Sequence, residues 1–430
     1  MPNSFDVTIE KLVYGGDGLA HHEGQTVFVP YVLPGEIVSV SPTESRKKFI
    51  RGHLENIVKP AAGRVVPPCP RFGACGGCHY QHMPYEEQVR YKSEILRETL
   101  ARIGRVEWAG EIKTRSSPPL GYRNRAQWAV GLLDSQKRAG IGYFQQGSST
   151  LVPTDVCPIS SPRIENTLKL LAGAFDEGAL PPTIRAIEAF TDSADEKLLL
   201  NVVLEKKHAS VAALVDKIRQ LVPEAVSVLM HDEEKGPLEL FGPGHISYEV
   251  AGQYYRVGHL SFFQVNRFLL EDLVRDVVGE AHGELALDLF AGVGLFSIPL
   301  AAKFKRVVAV EGNVAAARDL EANLKKTPAA RSRHADVEGF LERWREKPDL
   351  VVLDPPRAGV PEPALKTLQN LGPAAIVYLS CDPATLARDL SQLTRDNPGS
   401  ARYAISNITL YDIFPQTYHI EALVRLQRLE

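Results

Sequence analysis

Leu285-Ala-Leu-Asp-Leu-Phe-Ala-Gly-Val-Gly-Leu-Phe-Ser-Ile-Pro299 is an apolar strand, a turn with two glycines and the start of a helical stretch. Gly292 and Gly294 let backbone come close to a ligand, and the helix N-terminus that follows favours polar or anionic groups. A second apolar run, Arg306-Val-Val-Ala-Val-Glu311, ends in an acid 23 residues after Asp288. At that place a carboxylate can accept both hydroxyls of an adenosine ribose. A third, Leu350-Val-Val-Leu-Asp-Pro-Pro-Arg-Ala-Gly359, puts Asp354 at a strand's carboxyl end, ahead of two prolines that stiffen the loop. A fourth, Ile376-Val-Tyr-Leu-Ser-Cys-Asp-Pro-Ala-Thr385, delivers Cys381 to the same edge.

Strands alternating with helical stretches after residue 260 predict an α/β, Rossmann-like parallel sheet, whose ligand crevice lies at the strands' carboxyl ends. A glycine turn alone is often only a turn. Joined to a second-strand acid it points to an adenosine-containing cofactor. The third glycine of a dinucleotide fingerprint is missing, which favours S-adenosylmethionine over NAD.

Outward from this region, residues 5–60 read as short β runs between glycine turns, the spacing of a small barrel. The Pro-rich Val65-Val-Pro-Pro-Cys-Pro70 marks a boundary, and strand-like Leu198–Leu204 and helix-like Ala209–Gln220 make the middle α+β. The domain expectation is therefore 1–60, 61–258 and 259–430. The chain has 430 residues, 44% hydrophobic and 23% charged, with net charge −3. That excludes wholesale disorder and a uniformly basic coat. Residues 61–170 nevertheless carry 15 Lys or Arg against 9 Asp or Glu, a local +6. No apolar run of about 18 residues predicts a membrane span, and Met1-Pro-Asn-Ser-Phe-Asp6 lacks the basic start of a signal peptide. A cytoplasmic, monomeric protein is expected.

The motifs Phe263-Gln-Val-Asn266, Asp288-Leu-Phe-Ala-Gly-Val-Gly294, Asp354-Pro-Pro-Arg-Ala-Gly359, Ser380-Cys-Asp-Pro-Ala-Thr-Leu-Ala-Arg388 and Asp412-Ile-Phe-Pro-Gln-Thr-Tyr-His-Ile-Glu421 together resemble the bacterial iron–sulfur RNA uracil-5-methyltransferases. The resemblance runs over essentially the whole chain. It implies an N-terminal OB-like TRAM barrel that binds RNA, a class I methyltransferase domain, and packing of residues 93–120 with that domain. It implies methylation of a uridine C5 in 23S ribosomal RNA, with transfer RNA as the alternative substrate. An iron–sulfur Rossmann oxidoreductase and a non-catalytic RNA-binding protein are the competing classes. Neither needs Cys381 and Glu421 together.

Chemistry agrees with the resemblance. Uracil C5 is a poor nucleophile, but a thiolate added at C6 makes C5 nucleophilic. After methyl transfer a base must remove the C5 proton. Cys381 is the expected nucleophile, and the resemblance gives Glu421 as the base. A lone thiol is more often structural; its place at a strand end beside the crevice reverses that. A free thiol has a pKa of about 8.5, so the site is expected to lower it or to deprotonate it on substrate binding. His419, two residues before Glu421, is expected to face the same side on a strand. For the cofactor the resemblance carries over Gln264, Phe290, Glu311, Asp336 and Asp354. Leu295 and Asp382 depart from the asparagines common at those positions.

Cys69, Cys75 and Cys78 cluster, and with Cys157 they supply four thiolates. Four sulfurs suit a [4Fe–4S] cluster or zinc. The family pattern implies the iron cluster. For RNA, Arg123 and Arg125 alternate beside Tyr122 and Trp128 and are expected to position phosphates, with the aromatics stacking bases. Phe262 and Phe263 are candidates to stack on a flipped uracil; core packing is the plain alternative for both.

Overall fold

The computed structural model describes residues 4–133, 138–205, 210–232, 234, 236–395 and 402–429. Met1, Pro2, Asn3 and Ala209 therefore lie outside the described residues. No described helix is long and apolar enough to cross a membrane.

The strands Phe5–Thr8, Lys11–Leu12, Gly18–His22, Gln25–Val29, Ile37–Ser45 and Phe49–Lys59 form one sheet. Their alternation turns Val7, Ala20, Val27, Val29, Val38 and Val40 onto a common core. A seven-stranded sheet follows, with Leu198–Leu204 near its centre and buried at every position. The helices Pro162–Asp176 and Val211–Leu221 pack against it.

The eight-stranded sheet holds the strands foreseen from the glycine turn. In spatial order they are Ala330–His334, Phe304–Glu311, Gly283–Leu289, Leu350–Leu353, Ala375–Ser380, Glu421–Arg428, Tyr403–Tyr411 and Ile112–Arg115. Neighbours run parallel except around Glu421–Arg428, which is antiparallel to both of its partners. The order reverses between Gly283–Leu289 and Leu350–Leu353, the switch point where such sheets open a ligand crevice. The α/β methyltransferase-type architecture, the β-rich N-terminal unit and the α+β middle are as the sequence led one to expect.

The edge strand Ile112–Arg115 comes from far upstream, reached through the helix Tyr85–Thr99. Lys92 in that helix is wholly buried and donates to Asp412 Oδ1 at 2.6 Å and to the Phe414 carbonyl at 3.0 Å. Asn266 adds a tie to the Ile413 carbonyl at 3.1 Å. The segment 412–414 is thus held from two sides, just before the strand that begins at Glu421.

Candidate active site

Gly283–Leu289 is pleated into the core and stops at a turn that no ordinary backbone makes. Phe290 has φ of 64°, Gly292 of 56° and Gly294 of 93°. A Cβ on Gly294 would lie 2.9 Å from the mobile end of Leu320, Cδ1, and it is the φ of 93° that demands glycine here. Phe290 pays a left-handed backbone that non-glycine residues rarely hold outside functional turns. Glu311 secures the turn: its Oε2 accepts from the Gly292 N–H at 2.8 Å and its Oε1 from the Asn313 N–H at 2.6 Å.

The turn forms one wall of a cavity of about 800 Å³. Phe262, Phe263, Gln264, Phe290, Glu311, Asp336, Asp354, Cys381 and Glu421 all border it. Residues named from seven separate stretches of sequence therefore meet in one place. Gln264 Nε2 donates to Asp354 Oδ2 at 3.3 Å. Asp336 is exposed and caps the helix Val337–Arg343 through the Gly339 N–H at 2.7 Å. Asp288 lies beneath the turn, fully buried, and accepts from the Ser297 hydroxyl.

Cys381 follows the strand Ala375–Ser380, and Glu421 opens the antiparallel strand beside it. The ladder's last pair is Ser380 with Ala422, so Cys381 and Glu421 come next to it at the adjoining ends of the two strands. Burial first, then the charges of Glu421 and Asp354, push the thiol up to about 12, against a lowering by Arg357. Burial and Asp354 hold the Glu421 carboxyl well above the carboxylate range. Burial and neighbouring acids raise Asp354 to about 7, and burial raises Asp288 to about 7. The expected lowering of the thiol is not a property of this arrangement. Three enclosed acids make the site a place for a cation.

His419 also borders the cavity, although the strand starts only at Glu421 and simple alternation does not apply. Its Nδ1 lies 3.5 Å from Arg357 Nη2, and burial with that guanidinium lowers its pKa to about 3, leaving it neutral. Arg357 was visible in the Asp354-Pro-Pro-Arg motif but acquired no role from sequence. Only the fold brings its charge to both Cys381 and Glu421.

The expected RNA contacts divide. Phe262 is 62% exposed on the cavity rim. Phe263 is 2% exposed and packs 4.7 Å from the Tyr248 ring, a core position. Tyr122 and Trp128 are completely buried, so neither can stack on a base. Arg125 is turned inward: it donates to the Ser261 carbonyl at 2.8 Å and sits 4.2 Å over the Phe190 ring. Arg123 borders the cysteine cavity, its Nε buried and without a hydrogen-bond partner among the described residues. An alternating basic run looks the same whether its charges face water or a neighbouring domain. Here they face the interior.

Cys69, Cys75, Cys78 and Cys157 line a second, small cavity with Arg123 and Tyr143. All four are free thiols. Among the described residues no three or more His, Cys, Asp or Glu side chains form a group that could hold a metal ion.

A switch-point crevice with a glycine turn, a ribose-type acid and an acidic pocket suited to a cation defines a class I S-adenosylmethionine-dependent methyltransferase. Residues 4–54 match the TRAM domain, 270–353 the TRM5/TYW2 methyltransferase domain, and 333–429 the tRNA (Uracil-5-)-methyltransferase family. An uncharacterized RNA methyltransferase of Aquifex aeolicus is 32% identical over 98% of both chains. The 23S rRNA (uracil(1939)-C(5))-methyltransferase RlmD of Shewanella halifaxensis is also 32% identical, over 98% of this chain and 95% of that one. The Pyrococcus abyssi tRNA (uracil-54, C5)-methyltransferase, solved with S-adenosyl-L-homocysteine, superposes with a TM-score of 0.76 at 26% identity, covering 98% of this chain and 100% of that one. The chain belongs to the S-adenosylmethionine-dependent RNA (uracil-C5-)-methyltransferase family.

Proposed function

We propose that this protein methylates C5 of one uridine in 23S ribosomal RNA, with Cys381 as covalent nucleophile and Glu421 as base. The observation that carries the reading is that Cys381 and Glu421 border the same cavity, with the Glu421 charge acting on the Cys381 thiol. S-adenosylmethionine supplies, when bound, an electrophilic methyl group and a positive charge. Gln264, Phe290, Glu311, Asp336 and Asp354 are the residues to hold it. Beside a positive charge Asp354 and Glu421 ionise more readily, which makes Glu421 a competent base. The Cys381 thiol gives its proton to solvent, and its sulfur bonds to C6 and sends an electron pair toward C5 and O4. C5 then takes the methyl group. Glu421 removes the C5 proton, the sulfur–C6 bond breaks, and the ring double bond returns. Phe262, exposed on the rim, is the residue we assign to stack on the flipped uracil.

The large-subunit substrate is favoured because the full-length relatives bearing that name reach 32% identity, above the 26% of the transfer RNA enzyme. We read the chain as an RNA-binding barrel (1–60), a central domain (61–258) and a methyltransferase domain (259–430), with 93–120 packed with the last. The decisive experiment maps 5-methyluridine in ribosomal and transfer RNA from cells with and without the gene. Loss at one 23S position is expected; loss only in transfer RNA would move the substrate.

The four cysteines are assigned to a [4Fe–4S] cluster. Four thiols bordering one cavity match the thiolate count of such a cluster. Arg123 supports this reading, since its guanidinium offers positive charge to a thiolate-ligated group. Such a group ties residues 69–78 to residue 157.

A further inference from the structure

We propose that the tight turn Val13–Gly16 of the N-terminal barrel is a positioning clamp on the catalytic pair, with Tyr14 holding Cys381 in place through Asp382. The proposal deepens the covalent reading above and rests on it. Tyr14 lies between the strands Lys11–Leu12 and Gly18–His22, remote in sequence from the methyltransferase sheet. Its hydroxyl donates to Asp382 Oδ2 at 3.2 Å. The other carboxylate oxygen of Asp382 accepts from the Ala384 and Thr385 N–H groups, both at 2.9 Å, and so caps the helix Pro383–Thr394. The Asp382 N–H donates to Ser380 Oγ at 3.3 Å. Cys381 is the residue between these two anchors, so the direction of its side chain follows the setting of Asp382.

The same turn reaches the other half of the pair. The Tyr14 ring meets Tyr418 edge-on at 5.8 Å, and Tyr418 packs on His419 at 4.4 Å. A Cβ on Gly16 would come within 3.4 Å of Tyr418 and 3.3 Å of His79, so the turn sits directly on that segment. One barrel turn thus touches the chain one residue after Cys381 and three before Glu421. A carboxylate only accepts, and with one oxygen spent on the helix cap the other is free for a phenol donor. Seating of the barrel and alignment of the thiol become one event.

Tyr14→Phe keeps the ring against Tyr418 and removes one oxygen. Single-turnover transfer of labelled methyl groups from S-adenosylmethionine is measured at saturating RNA, beside the RNA dissociation constant, for Tyr14→Phe, Asp382→Ala and the double variant. The saturated rate of Tyr14→Phe is expected to fall about fivefold or more, since small misplacement of a reacting group is costly. RNA affinity stays within about twofold, and Tyr14→Phe causes no further loss in the Asp382→Ala background, the pattern of coupled neighbours. A saturated rate near the wild type's overturns the proposal, whatever happens to RNA affinity, and so do losses that multiply in the double variant. Trapping on 5-fluorouridine RNA separates the two readings. Absence of a wild-type adduct refutes the covalent route, while the ratio of transfer rates is read without it.

Discussion

Cys381 and Glu421 lie just past the last paired rung, Ser380–Ala422, border one cavity, and are close enough that the Glu421 charge acts on the thiol. Both side chains border one cavity, so a base and a nucleophile placed there address the same small ring. The two should separate kinetically. Cys381→Ala should form no adduct with 5-fluorouridine RNA and lose methyl transfer by a factor on the order of 10³ or more. Glu421→Gln should transfer the methyl group once and then stall with RNA attached, visible as a shifted band on a denaturing gel. Normal turnover by Glu421→Gln would remove its role as base.

Asp288 and Asp354 titrate near 7 in the folded chain, against an ordinary 3.8, with burial as the first cause. The folded state therefore binds more protons between those values. The resulting stabilisation is present below about pH 4 and is lost as pH rises through about 7. Thermal stability without cofactor should decline from pH 5.5 to pH 8. Binding of cationic S-adenosylmethionine near neutral pH should release protons, read as a calorimetric enthalpy that changes with the buffer's ionisation enthalpy. A buffer-independent enthalpy would count against this electrostatic account.

Lys92 and Asp412 form an ion pair with neither side chain exposed. Lys92→Met leaves a buried carboxylate without its cation and should cost about 3–5 kcal/mol. Adding Asp412→Leu should restore much of the loss, because two apolar groups need no partner. The comparison is made by thermal unfolding of the three variants. Equal or larger loss in the double variant would contradict the argument.

Gly294→Ala introduces a Cβ at φ of 93° and 2.9 Å from Leu320 Cδ1. S-adenosylmethionine should bind at least about tenfold more weakly, since a strained turn shifts the backbone that meets the ligand. Gly173, inside the helix Pro162–Asp176 with open space around its Cβ position, is the contrast. Gly173→Ala should leave cofactor binding alone and raise stability by up to about 1 kcal/mol.

Protein purified without oxygen should carry iron and inorganic sulfide and absorb broadly in the visible range. Cys78→Ser should lose that absorbance and bound iron together. One zinc per chain with no iron in the wild type would overturn the cluster.

By itself, the sequence determined the sheet and the chemistry on its edge. An apolar strand closed by a glycine turn is a local feature, and its period and breakers read directly from residues 285–299. The acids Glu311 and Asp354 and the thiol of Cys381 were legible for the same reason: each ends a strand, and strand ends in such a sheet converge. The TRAM-type barrel and the cysteine spacing were legible too.

What only the tertiary structure decided is which charges face inward. Arg123, Arg125 and Lys92 look alike in a basic segment, yet one borders the cysteines, one covers Phe190 and one is sealed against Asp412. Nor could spacing reveal that Tyr14 reaches Asp382, 368 positions away. Periodicity reports which side of an element is apolar. It carries no record of which distant element arrives to cover the polar side, because that contact is set by packing between domains.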